Sequence, residues 1–161
     1  MLVELMVSIS LLVVGFLGFL GLLSRALSLN RVVADQFIAN YLTMEGIEIT
    51  KNLIDSNIIQ GKVFNDGFAS DKCYELDYKT KDISSATEVN CLNLSNTPLK
   101  YDDSTNFYGY GSGTDTPFKR TVHIVPVTDE EIKVVSIVKW KSRGGIKNKI
   151  ELEDHFFNWR P

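Results

Sequence analysis

Proline is absent from the first half of the chain: of four prolines in 161 residues, the first is Pro98. Proline removes a backbone donor and clashes with the preceding helical turn, so nothing before Pro98 interrupts a long helix. Charge is missing too, for no acidic or basic side chain lies between Glu4 and Arg25. Basic runs are also missing. The 17 Lys and Arg are outnumbered by 20 Asp and Glu, for a net charge of -3, and no lysine or arginine cluster offers the footprint that phosphate backbones require. A specific nucleic-acid partner is therefore not expected. Two cysteines and two histidines are few for chemistry, and there is no phosphate loop, dinucleotide fingerprint or metalloprotease helix. No enzymatic activity, cofactor or metal is expected.

What is present begins at once. Leu5 to Ser24 is a run of 20 apolar or small residues, which at about 1.5 Å per residue covers the roughly 30 Å hydrocarbon core of a bilayer. A secretory signal peptide would want a basic start and a small-residue cleavage site after a shorter core, and neither is there. Glu4 stands at the edge of this run with no basic neighbour. A carboxylate in hydrocarbon costs up to about 3 kcal/mol at a helix centre and less near an end, so it either finds a partner or sits in the headgroup layer. The terminal amine of Met1, in the same chain or in a neighbouring one, is the nearest cation.

Leu2-Val3-Glu4-Leu5-Met6 followed by an apolar helix resembles the N-terminal signature of type IV pilins and of the pseudopilins of secretion systems. The resemblance implies a prepilin peptidase that removes a leader and methylates the new terminus. It also implies that Glu4 pairs with a neighbouring subunit's N-terminus, making Glu4 and Met1 the assembly residues. The family shows a glycine, an aromatic and a small polar residue before the position of Leu2. Only Met1 stands there, and a chain trimmed or restarted near the processing site is expected.

Gly15, Gly18 and Gly21 recur every three residues inside the apolar run. Small residues at such spacing let helices approach closely in lipid, although glycine is also simply common in membrane helices. The family resemblance adds that this segment loosens on leaving the membrane. Beyond Arg25 the apolar period becomes amphipathic. Leu29, Val33, Phe37, Tyr41, Met44 and Ile47 form one strip, and Ile38, Leu42, Ile49 and Leu53 an adjacent one. One helix is expected from Leu2 to about Asp55, ended by Ser56-Asn57 and Gly61, with its second half burying the apolar strip.

The rest reads as a β-rich head of about a hundred residues, one core. Cys73 to Tyr78 alternates as a strand, and Glu88 to Leu94 does so weakly. Cys73 and Cys91, 18 positions apart, fit one disulfide worth about 3 kcal/mol and an oxidising compartment, or else two buried thiols. Asn93-Leu94-Ser95 matches a glycosylation sequon by chance. Tyr101 to Thr116 reads as a solvated surface loop; its Asp102, Asp103 and Asp115 would be calcium ligands as in some pseudopilins, but their spacing fits no defined loop. Phe118–Val125, Ile132–Lys141 and Ile146–Leu152 are strands. Thr128-Asp129-Glu130 links the first two, and Arg143-Gly144-Gly145 turns the last two into a hairpin. Val134, Ser136, Val138 and Trp140 face one side of the central strand. Phe156, Phe157 and Trp159 close the sheet. His123 and His155 read as packed or surface histidines.

Trp140-Lys-Ser-Arg-Gly-Gly with Ile150 to Trp159 resembles the end of PilV-type minor pilins. The expected architecture is therefore α+β, the type IV pilin fold: a membrane-spanning helix at 1–25, its amphipathic continuation at 26–58, and an antiparallel β-sheet head at 59–161. The resemblance implies a minor pilin or pseudopilin held in the inner membrane, head outside, before assembly. It then enters a pilus or periplasmic pseudopilus with other pilins through an assembly platform. The alternative is a single-pass anchored extracellular binding protein that forms no filament.

Overall fold

A computed structural model of the chain describes residues 2–68, 70–92, 94–142 and 145–159. The chain falls into two compact units, Met1–Phe37 and Ile38–Pro161. The helix α1 (Leu2–Ile59) contributes to both. It runs past Ser56 and Asn57, whose helix penalties of a few tenths of a kcal/mol are too small to stop it. Gly61 does stop it, at φ +70°, a conformation that glycine alone adopts without strain. From there Gly61 N donates to Ile58 O (3.1 Å) and Lys62 N to Asn57 O (2.9 Å), satisfying the last carbonyls.

The strands are β1 (Lys72–Glu75), β2 (Thr87–Val89), β3 (Lys100–Asp102), β4 (Phe107–Gly109), β5 (Thr114–Asp115), β6 (Lys119–Thr128), β7 (Glu131–Lys141) and β8 (Lys147–Phe157). They form two antiparallel sheets, ordered β2-β1-β6-β7-β8 and β4-β3-β5. The architecture is thus α+β, a long apolar N-terminal helix with antiparallel sheets. β7 is interior, as its two apolar faces require. β8 runs beyond Leu152, so Phe156 and Phe157 belong to the strand and stand opposite Ile132 and Glu131. Of the turn before it, Arg143 and Gly144 lie outside the described residues; Gly145 takes φ +81° and its N donates to Ser142 O at 3.0 Å.

The segment read as a surface loop, Tyr101 to Thr116, is instead the three-stranded sheet. Its strands are two or three residues long, too short for an alternation pattern, and they are paired through Tyr101 opposite Tyr108, whose rings lie 5.1 Å apart.

The core corrects the first strip of the helix reading, while the adjacent strip of Ile38, Leu42, Ile49 and Leu53 lies on the packed side as expected. Leu29, Val33, Phe37, Tyr41 and Met44 are exposed. The buried face is Ala39, Leu42, Thr43, Gly46, Ile47, Ile49, Thr50, Leu53 and Ile54. Four of these are small or hydroxylated and carry no hydrophobic signal. Thr43 Oγ1 donates to Ala39 O (2.6 Å) and Thr50 Oγ1 to Gly46 O (3.0 Å), so both hydroxyls are satisfied within the helix and the face packs as if apolar. At Gly46 the backbone lies against Ser136 and Val122, where a Cβ would stand 3.1 Å from Val122 Cγ2.

Two apolar clusters result. Ile47, Leu53 and Ile54 pack with Phe64, Phe68, Leu76, Val122, Ile124 and Val134. Ala39 and Leu42 pack with Leu99, Phe118, Val138 and Trp140. Arg120 stands on β6 between Phe118 of one and Val122 of the other, fully buried.

Candidate functional site

The candidate site is the start of α1. Glu4 is in the first turn, where the partial positive charge of a helix N-terminus favours an acid. Among the described residues its carboxylate makes no ion pair. The Met1 amine, its expected partner, lies outside the described residues. Ser8 Oγ donates to Glu4 O (2.9 Å) and Ser10 Oγ to Met6 O (2.8 Å), so these hydroxyls turn back on the helix rather than outward. From Leu2 to Leu23 every large hydrophobic side chain is exposed, Leu2 by 79% and Leu22 by 70%. This helix is long and apolar enough to cross a membrane. A Cβ added at Gly15, Gly18 or Gly21 would meet nothing within 4 Å.

In the head, Cys73 and Cys91 form a disulfide with Cα atoms 5.3 Å apart, one partner on β1 and the other just past β2, which pairs with β1. His123 is the cross-strand neighbour of Cys73 on β6, and its Nε2 lies 2.5 Å from Asp71 Oδ1. Both cysteine sulfurs and a His123 nitrogen lie within 4.8 Å of one another. While the sulfurs are bonded to each other, they offer no thiolate to a metal. Asp102, Asp103 and Asp115 do not converge into a metal-sized cluster among the described residues. Asp102 instead accepts from Ser104 N at 2.9 Å and Oγ at 2.5 Å, bonds that hold its carboxyl below the usual range. His155 Nδ1 lies 2.7 Å from Glu131 Oε1 and its Nε2 3.3 Å from Glu153 Oε1, and these hydrogen bonds raise its pKa above the ordinary histidine value. The sequon residue Asn93 lies outside the described residues.

Two features escape the sequence. The first is Arg120: Nη1 donates to Leu42 O (3.0 Å) and Glu45 Oε2 (2.7 Å), and Nη2 to Leu76 O (2.6 Å). One guanidinium thus ties α1 and the residue after β1 to β6. Tyr110 donates its hydroxyl to Arg120 O at 2.9 Å, and burial pushes that phenol up in pKa. Nothing about Phe118-Lys-Arg-Thr separates this arginine from the half-buried lysine beside it. The second is a basic cluster. Lys119, Lys139, Lys141, Lys147 and Lys149 line one cleft. The absence of a lysine cluster therefore holds for the linear sequence and not for the folded head, because antiparallel pairing sets lysines 6 to 20 positions apart opposite one another on three adjacent strands.

No family model matches the chain, and no curated protein or solved structure matches it.

Proposed function

We propose that the chain is a structural subunit, a minor pilin or pseudopilin, of a type IV pilus or related secretion filament. A single observation carries this reading: a continuous helix carries Glu4 in its first turn and leaves every large hydrophobic side chain up to Leu23 uncovered. Burying one such side chain is worth about 1.5–3 kcal/mol, so a surface of this extent needs lipid or other helices. Lipid covers it before assembly and neighbouring helices cover it afterwards. Glu4 joins the two states, because a lone acid at the edge of hydrocarbon is neutralised by the next subunit's amine, which sets axial register. The α+β layout and the disulfide support a pilin-like head on the oxidising side of the inner membrane. Prepilin peptidase, the assembly platform and other pilins are the partners in this reading.

The test is Glu4→Ala, scored by incorporation into sheared fibres alongside unfolding of the head. Assembly is expected to fall by at least tenfold, which corresponds to about 1.4 kcal/mol per contact, with the Cys73–Cys91 bond and head stability unchanged. Incorporation at the unaltered level would remove the role of Glu4 and leave the single-pass anchored binding protein as the better reading.

A further inference from the structure

We propose that the lysine cleft on the head is a binding site for a linear phosphate polymer, with Lys119, Lys139, Lys141, Lys147 and Lys149 as its cationic ligands. The cleft encloses about 600 Å³ and is flanked by Asn96. Its construction follows from register. Lys119 stands opposite Lys139, Lys139 opposite Lys149, and Lys141 opposite Lys147. Directly opposed residues share a face, and positions two apart along a strand do as well, so all five side chains leave the same face of the sheet. With strands about 4.8 Å apart and a two-residue step of about 6.8 Å, the five lysines are rooted in two adjoining rows, one three lysines wide.

Like charges placed directly opposite each other destabilise an antiparallel pair, and here three such pairs adjoin. Little within the head relieves them. Lys149 pairs with Glu151, and Lys119 Nζ donates to Asn96 Oδ1 at 3.5 Å. Among the described residues no carboxylate pairs with Lys139, Lys141 or Lys147. The concentration is local, for without these five the 20 acidic residues outnumber the remaining basic ones by 8. An external anion is what completes this face.

The spacing selects the ligand class. Several lysines rooted about 5–7 Å from one another on one face match a chain of repeated phosphates rather than one phosphate held in a closed pocket. Trp140, the cleft's aromatic residue, is only 6% exposed. It offers no platform on which unpaired bases stack. Recognition therefore falls on backbone charge, which duplex DNA and inorganic polyphosphate both present. The inference does not depend on filament assembly.

The full chain in non-ionic detergent is titrated with a fluorescent DNA duplex and with labelled inorganic polyphosphate across a salt series. Binding is expected with a slope of log K against log salt of about -3 to -4.5 for DNA, for three to five phosphates neutralised. Lys139→Gln/Lys149→Gln is expected to weaken binding at least tenfold at low salt and to flatten the slope by about 2. Lys141→Gln/Lys147→Gln alters two exposed positions and is expected to act in the same direction with the circular dichroism and the disulfide unchanged. Binding of either polymer supports the site, and a preference between them identifies the source of the phosphate. No binding at low salt, an unchanged slope in both double variants, or binding of heparin or anionic vesicles in place of both polymers would overturn it.

Discussion

Two stretches of one helix, Leu2 to Phe37 and Ile38 to Ile59, show how little hydrophobicity alone says about burial. The first is the more apolar, yet none of its side chains is buried; the second is mixed in composition and buries nine residues. Small residues serve opposite ends in the two. Gly15, Gly18 and Gly21 face open space, whereas Gly46 is pressed against Ser136 and Val122. A glycine that makes room for a neighbour already present is structural, whereas one with open space on every side is under no packing constraint from its own chain.

The largest expected effect tests the packed stretch. Arg120→Met removes the donors to Leu42 O, Glu45 and Leu76 O. It is expected to cost about 3 kcal/mol, at the low end for a broken buried pair because Glu45 is partly exposed and regains water. The denaturant midpoint of the head measures it, and a loss under about 0.5 kcal/mol would mean that the guanidinium does not hold the helix.

Next comes the glycine contrast itself. Gly46→Val is expected to destabilise the head by about 2 kcal/mol through overpacking against Val122 and Ser136, with part of the loss recovered by adding Ser136→Gly. Gly18→Val, measured in the same detergent, is expected to leave head unfolding unchanged and to reduce helix association instead. Equal effects of the two on the unfolding midpoint would abolish the distinction.

The smallest effect confines itself to the head. Hydrogen bonds to Glu131, then to Glu153, raise the folded-state pKa of His155. Because the folded value is raised above the unfolded one of about 6.5, this contribution to stability is complete below about pH 6.5 and is lost as pH rises through the raised value. An NMR titration is expected to place the His155 midpoint above the ordinary histidine value, and Glu131→Gln to bring it down. A midpoint that Glu131→Gln leaves in place would assign the shift to another cause.

Much of the fold is legible in the chain. The proline-free, charge-free start identifies the helix, the alternating C-terminal third identifies three strands, and two cysteines beside weak strands suggest their own pairing. What is illegible follows a physical pattern. The strip from Leu29 to Met44 has the right period but the wrong bulk, since a helix lying close on a sheet needs Ala39, Thr43, Gly46 and Thr50 at the contact. The small sheet from Lys100 to Asp115 is held by pairs too short to leave a period. Of the candidate site, Glu4 is readable because it borders a uniform run and the three glycines because they punctuate it. The lysine cleft is not, because its members are scattered from 119 to 149.

By itself the sequence determines what depends on neighbours along the chain: a helix without breakers, a stretch able to dissolve in hydrocarbon, and strands that alternate. The tertiary structure alone decides which helix face is covered, that Arg120 is interior while Lys119 is not, and that five separated lysines share one surface. The reason is that burial and charge proximity depend on strand register and on the distance between a helix and its sheet, and both are set by contacts between residues remote in sequence.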